Sequence, residues 1–166
     1  MAADRAPTLE LDIQLADTGS ALPPGADFDT WIRAALQGAA GETGRSEAGG
    51  GALSLRLVGL EEGAELNSAW RHKAGPTNVL AFPGPGELPP GMPREYGDLV
   101  ICLPVVLREA GEQGKAPVDH LAHLVVHGTL HLLGYTHDAE ADAARMEALE
   151  TRVLAGLGIP DPYLAK

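Results

Sequence analysis

The segment from residue 120 to residue 137 constrains the fold more than any other part of the chain. Five of the six histidines lie there, at positions 120, 123, 127, 131 and 137, and most of the residues between the first four are apolar. On a helix these four fall within an arc of roughly 80°, while leucines and valines cover nearly all the rest. Such a helix must be buried, and its stripe of imidazoles must find partners because unpartnered polar rings cost desolvation energy.

The ends of this helix are also visible in the sequence. Pro117 is suited to a first helical turn, and Gly134 is a typical residue for the left-handed conformation that stops a helix. The pattern therefore predicts a helix from Pro117 to Gly134, which we call the histidine helix.

The spacing of the histidines predicts a metal site. His127 and His131 lie about 6 Å apart along the helix axis, so both imidazoles can reach one ion. His123 is about 12 Å from His131 along the axis, too far to join them. Beyond Gly134 the chain can turn back and bring His137 to the ion. Three histidines leave a position open for water, which is typical of catalytic zinc.

Other interpretations of the histidines remain open. A pair four residues apart is by itself equally consistent with two partly buried, hydrogen-bonded rings. Imidazole ligands also suit nickel and copper. His120 and His123 are expected to support the site or to pack in the core.

One glycine separates this motif from a known peptidase pattern. HGTLHLLGYTH has the spacing of the metzincin motif H-E-x-x-H-x-x-G-x-x-H, but Gly128 stands where those enzymes carry their catalytic Glu. The sequence therefore gives little support to peptidase chemistry. Because glycine inside a helix costs about 1 kcal/mol relative to alanine, we expect close approach of substrate or backbone at Gly128.

The rest of the chain predicts an α+β fold, a mixed sheet of about four strands covered by helices, with the histidine helix buried against it. Strands are predicted at 9–15, 53–57, 77–82 and 99–103, the last of them central. Helices are predicted behind an Asp27 cap, from Glu61 to about Arg71, from Pro104 to about Gly111, and from about Ala139 to Leu157 behind an Asp138 cap. We expect one domain over residues 1–166, with 41–52 a flexible glycine-rich connection.

Composition narrows the class of protein. The single cysteine cannot form an internal disulfide, and the first residues lack the pattern of a signal peptide, so we expect a cytoplasmic protein without a membrane span. The net charge of -11 disfavours general attraction to nucleic acid. However, residues 66–86 and 120–137 contain no Asp or Glu and include Arg71, which predicts an acid-free site in an acidic body.

Three blocks of sequence resemble the YbeY family of bacterial metal-dependent endoribonucleases: HGTLHLLGYTH, LNSAWRHKAGPTNVLAFP and GDLVIC. The resemblance runs from the first strand to the final helix. It implies a zincin-like fold with one zinc ion per chain, held by His127, His131 and His137. It also implies a role in maturation of the 3′ end of small-subunit ribosomal RNA and in ribosome quality control, with ribosomal RNA and the ribosome or its associated proteins as partners.

The resemblance also implies that Arg71 is the family's functionally important arginine. A guanidinium near the metal would clamp a phosphate and stabilise charge on its oxygens. The alternative is a surface arginine favoured by the dipole at the end of its helix. Two residues depart from the family's usual pattern: Thr136 replaces an Asp that could orient or electrostatically support the metal site, and Ala81 replaces a Ser.

These observations favour a zinc-dependent endoribonuclease that prefers single strands, in which the metal activates water or polarises a phosphoryl oxygen. No side chain identifies itself as the general base, and attack by water or by the RNA 2′-hydroxyl stays open. Two other hypotheses are a zincin-type metallopeptidase without the usual Glu and a ribosome-assembly factor with a structural metal.

Overall fold

The computed structural model describes residues 9–16, 18–43, 51–71, 77–85 and 94–163. The strands are β1 (Leu9–Leu15), β2 (Gly51–Val58), β3 (Val79–Pro83) and β4 (Arg94–Cys102). The helices are α1 (Phe28–Thr43), α2 (Leu60–Arg71), α3 (Leu103–Gln113), α4 (Pro117–Leu132) and α5 (Glu140–Gly156). The predicted α+β class is confirmed.

The four strands form one mixed sheet in the order β1-β2-β4-β3. β1, β2 and β4 are parallel, and β3 runs antiparallel to β4 at the edge. The internal position of β4 confirms the prediction that its apolar run is central. α1 joins the parallel pair β1 and β2, which is the usual crossover connection.

The glycine of the GDLVIC block lies at an irregularity in β4. The register with β2 shifts just after Ala52, and Tyr96 is the extra residue on β4. Gly97, which follows it, has a φ of 124°, and a Cβ there would lie 2.2 Å from the carbonyl oxygen of Phe82. Glycine is therefore required at this bulge by both its backbone angle and the approach of β3.

The histidine helix α4 is buried at the centre of the molecule. It contacts α1, α3, α5 and the strands β3 and β4. Every residue from His120 to Val126 is buried. The reason is that α4 packs on one face of the sheet, and α1 and α5 pack against α4 on that same face. On the opposite sheet face, α2 and α3 cover a smaller apolar cluster that includes Val58, Val100 and Cys102. The predicted burial of the histidine helix is confirmed.

Three local predictions need correction. α5 begins after Ala139 without a side-chain cap, so the predicted Asp138 cap is wrong. The predicted Asp27 cap of α1, by contrast, is confirmed, because the Thr30 N–H donates to Oδ1 of Asp27 at 3.2 Å. α1 runs to Thr43 and β2 starts at residue 51, so both ends of the predicted 41–52 connection are regular structure; residues 44–50 lie outside the described part. The connection after β3 is also shorter than the predicted strands at 77–82 and 99–103 imply, because β4 already begins at residue 94.

β1 buries less of its apolar face than its alternating pattern predicts. Leu9 and Leu11 pack against the core, but Ile13 is 38% exposed and Leu15 is 61% exposed.

Among the described residues no helix combines the length and apolar character needed to cross a bilayer.

Candidate metal centre

The structure brings together the three histidines that the spacing singled out. His127 and His131 lie one turn apart on α4, with their Nε2 atoms separated by 3.0 Å. The His137 ring centroid is 4.8 Å from each of the other two rings. One ligand atom from each residue lies within 4.8 Å of the others, so the group could hold a metal ion.

Gly134 produces the turn that returns His137 to the helix. Its φ of 99° is left-handed, its N–H donates to the His131 carbonyl, and the Tyr135 N–H donates to the Leu130 carbonyl. These two bonds form a Schellman motif, which ends the helix within one residue. The sequence prediction of a glycine stop is thereby confirmed.

Hydrogen bonds at Nδ1 determine which nitrogen of each ring is free for a ligand. His127 Nδ1 lies 2.5 Å from Oε1 of Glu150, and His131 Nδ1 lies 2.8 Å from the carbonyl oxygen of Tyr135. A carbonyl and a carboxylate only accept hydrogen bonds, so both Nδ1 atoms carry the proton and both Nε2 atoms carry a lone pair. Burial lowers the pKa of His131, with the neighbouring His127 adding to the effect, which favours its neutral form.

The two Nε2 lone pairs fit a shared cation. Two acceptor nitrogens 3.0 Å apart repel each other unless a proton or a positive ion lies between them. Nitrogens bound to a tetrahedral zinc at about 2.0–2.1 Å would lie about 3.3 Å apart. The donor set and the spacing therefore suit a zinc site.

Glu150 of α5 is a site residue that the sequence reasoning missed. Its side chain is fully buried and accepts hydrogen bonds from His127, from His123 Nε2 at 2.9 Å and from the Tyr163 hydroxyl. Burial alone would raise the pKa of Glu150, but the bonds from His123 and His127 outweigh it and lower the pKa to about 2. One sequence feature could have identified Glu150: it is an acid on the apolar face of a predicted helix, one residue after Leu149. A carboxylate at such a position can be buried only if it has a partner.

His120 supports a second carboxylate, the partly buried Glu109. Its Nε2 donates to Oε1 of Glu109 at 3.0 Å, and the Asn78 amide donates to the same oxygen at 3.1 Å. Asn78 lines the cleft around the histidines, so this chain of bonds reaches the site from α3. Burial lowers the pKa of His120 and outweighs the opposing effect of Glu109.

The three candidate ligands open into a cleft of about 590 Å³. Its polar wall includes Asn67, Thr77, Asn78, Thr136 and Asp138. The expected acid-free site is therefore wrong: Asp138 lines the cleft, and Glu109 of α3 and Glu150 of α5 are hydrogen-bonded to the cleft residues Asn78 and His127. Residues 66–86 and 120–137 contain no acid themselves, but the fold brings acidic side chains from other segments next to them.

Gly128 packs against the sheet. A Cβ there would lie 2.8 Å from Cδ2 of Leu99 and 3.2 Å from Cγ2 of Val79. The expected approach of backbone is wrong, because the close neighbours are two apolar side chains. Gly128 also lines the cleft, so the approach of substrate stays a prediction. The glycine lets α4 lie close to β3 and β4.

Arg71 is the last residue of α2, and its side chain lies outside the described part of the structure. Asn67, four residues earlier on that helix, is buried and lines the cleft. The roles of Arg71 and of the three histidines as ligands stay predictions.

Comparison with known proteins gives consistent matches over most of the chain. Residues 15–158 match the family model described as Endoribonuclease YbeY. The Endoribonuclease YbeY of Alkalilimnicola ehrlichii is 54% identical over 166 residues, covering 98% of this chain and 95% of the relative. That of Stutzerimonas stutzeri is 51% identical over 161 residues, covering 93% and 91%. That of Bordetella pertussis is 56% identical over 135 residues, covering 81% and 83%.

The fold also has a counterpart among solved structures. The solution structure of TM1509 from Thermotoga maritima matches with a TM-score of 0.52 at 23% sequence identity. The match covers 93% of this chain and 99% of that one. At this identity the likeness shows the fold alone.

Proposed function

Because this chain belongs to the Endoribonuclease YbeY family, we propose that it hydrolyses phosphodiester bonds in RNA with a zinc ion held by His127, His131 and His137. The observation that carries the proposal is the convergence of the His127 and His131 Nε2 atoms, 3.0 Å apart, with both Nδ1 atoms engaged elsewhere. Three imidazoles leave room for a substrate atom or water at a zinc ion.

The bound zinc would supply Lewis-acid chemistry for hydrolysis of the phosphodiester. The chain's own residues bind and orient the RNA. Arg71 holds the scissile phosphate through its planar guanidinium. Thr77 and Asn78, which line the cleft, offer donors of the kind that bind phosphate and sugar oxygens.

The proposed substrate is single-stranded RNA, acted on in maturation of the 3′ end of small-subunit ribosomal RNA and in ribosome quality control, with the ribosome as partner. The family resemblance supports this role. The shape of the cleft supports the preference for single strands, since an unpaired chain can bring one phosphate into a concave site. A net charge of -11 further disfavours broad attraction to duplex phosphates.

The proposal is tested by metal analysis of the purified protein together with cleavage of single-stranded RNA. We expect one zinc per wild-type chain, loss of zinc in His131→Ala and retention of zinc in Arg71→Glu. Both variants should lose about 10²-fold or more in cleavage rate, because one removes a ligand and the other a charge that stabilises the transition state. Arg33→Glu is the matched charge control, because Arg33 is exposed on α1 and paired with Asp29.

Specific results would contradict this assignment. Wild-type cleavage in both His131→Ala and Arg71→Glu would exclude the site. Cleavage of unstructured polypeptide with RNA left intact would favour the metallopeptidase. Unfolding of His131→Ala, combined with a wild type that never cleaves RNA, would favour a structural metal in an assembly factor.

A further inference from the structure

The hydrogen bonds around His127 extend from the cleft to a residue beyond the last helix. Oε1 of Glu150 accepts the His127 Nδ1–H, and Oε2 accepts both the His123 Nε2–H at 2.9 Å and the Tyr163 hydroxyl. The Tyr163 ring also packs edge-on against His123, with centroids 5.4 Å apart. Each oxygen of this buried carboxylate is therefore directed by a named donor.

We propose that Glu150 and Tyr163 are positioning residues for the zinc ligand His127. The carboxylate fixes the Nδ1–H tautomer and the ring orientation of His127, and the tyrosine hydroxyl holds the carboxylate in place. A carboxylate on the far nitrogen of a ligating histidine also makes that ligand more basic. The inference rests on the proposed zinc site and adds the residues that determine its affinity.

Tyr163 is held in position by two further bonds. Lys115 Nζ donates to the Pro162 carbonyl at 3.0 Å, and the Tyr163 N–H donates to Oδ1 of Asp161 at 2.8 Å. These contacts pin residues 161–163 near the connection between α3 and α4. The match to the family model ends at residue 158, so Tyr163 lies beyond the matched residues.

The contacts among His123, His127 and Glu150 favour a role in positioning His127 over a second metal site. His123, His127 and Glu150 also lie close enough together to hold an ion. However, the His123 Nε2 and both carboxylate oxygens already take part in hydrogen bonds to one another and to Tyr163. His127 is left with its Nε2 directed at His131, so it joins the carboxylate network to the ligand group.

Two variants test the inference without relying on RNA cleavage. Glu150→Gln keeps the shape of the side chain and removes its charge. Tyr163→Phe keeps the ring against His123 and removes only the hydroxyl. Glu62→Gln is the matched control, because Glu62 is a hydrogen-bonded carboxylate paired with Arg56, away from the histidines.

Three quantities are measured on each protein: the Zn²⁺ affinity by competition with a chromophoric chelator, the unfolding temperature in EDTA, and the His127 tautomer by ¹⁵N NMR of histidine-labelled protein. We expect Glu150→Gln to weaken Zn²⁺ binding about 10–100-fold and to depopulate the Nδ1–H tautomer of His127. Tyr163→Phe should weaken binding several-fold, and Glu62→Gln should leave the Zn²⁺ affinity and the His127 tautomer unchanged. The unfolding temperature in EDTA shows whether each variant is folded.

The outcomes separate this inference from the proposed function. If folded Tyr163→Phe binds Zn²⁺ as tightly as wild type, the role of Tyr163 is excluded, even where Glu150→Gln fails to fold. Unchanged affinity and tautomer in folded Glu150→Gln would overturn the role of Glu150 while wild-type RNA cleavage stands. Weakened Zn²⁺ binding in a protein that never cleaves RNA would retain the inference and reject the nuclease. A wild type that does not bind Zn²⁺ would overturn both.

Discussion

At the scale of single residues, the buried histidines are stable only in defined protonation states. The His120 Nε2 donates to Glu109, whereas its buried Nδ1 has no hydrogen-bond partner among the described residues. A second proton on this ring would therefore reside on a buried nitrogen without an acceptor. Burial lowers the pKa of His120, nearby Lys115 and His123 act in the same direction, and Glu109 opposes them.

This environment predicts acid sensitivity of the metal-free fold. Below the unfolded pKa of about 6.5 the unfolded chain binds a proton that folded His120 excludes, so the free energy of unfolding falls as the pH drops. We expect EDTA-treated wild type to lose stability from pH 7.5 to 5.5 in urea unfolding. His120→Gln should lose less, since glutamine does not titrate. An equal loss in both proteins would show that His120 does not contribute.

Glu150 affects stability over a different pH range. Because its pKa is lowered on folding, it adds stability that is lost only as the pH falls below about 4.5.

At the scale of secondary structure, the close packing of α4 on the sheet places the histidine cleft. Gly128 lies between the two candidate ligands of the helix and faces Leu99 and Val79. A Cβ at this position would require the methyl groups of Leu99 and Val79 to shift within the packed interface between α4 and the sheet. Gly128 thus has two effects: it leaves the site without the glutamate of the peptidase motif, and it allows the helix to pack closely on the sheet.

Two glycine substitutions should therefore have opposite effects. In Gly128→Ala, overpacking against Leu99 costs about 1–3 kcal/mol, which outweighs a helix preference of about 1 kcal/mol. Gly111→Ala, at an exposed position of α3 where a Cβ meets nothing within 4 Å, should raise the free energy of unfolding by about 0.5–1 kcal/mol. Urea denaturation measures both. A Gly128→Ala protein more stable than wild type would contradict the packing explanation.

At the scale of the whole molecule, a strongly acidic chain is proposed to bind a polyanion. Its net charge is -11, and the histidine cleft has carboxylates nearby as well as at its wall. Long-range electrostatics therefore oppose association with RNA. Binding must depend on a few contacts at short range.

This charge distribution predicts a weak salt dependence of RNA binding. A protein that neutralises one or two phosphates of a single strand should show a slope of log K against log salt of about -0.7 to -1.4. Fluorescence anisotropy of wild type without divalent metal, at 50–200 mM KCl with a labelled single strand, measures this slope. A slope steeper than about -3 would reveal an extended basic surface and contradict the prediction.

Patterns that depend on neighbours along the chain could be predicted from the sequence. The period of apolar residues predicted the buried helix and the central strand, and the i, i+4 spacing with Gly134 predicted the approach of His137 to the His127 and His131 pair. Each depends on helix geometry or on a single turn, which local residues determine.

Contacts between distant segments were decided only by the tertiary structure. Glu150 follows His127 by 23 residues, and its packing against α4 depends on how α5 crosses that helix. The same holds for Gly128, whose neighbours come from two strands, and for the acids that surround an acid-free stretch. A sequence alone determines which side chains need a partner, because burial and charge are properties of each residue in its element. Which partner they obtain depends on the packing of all the elements together.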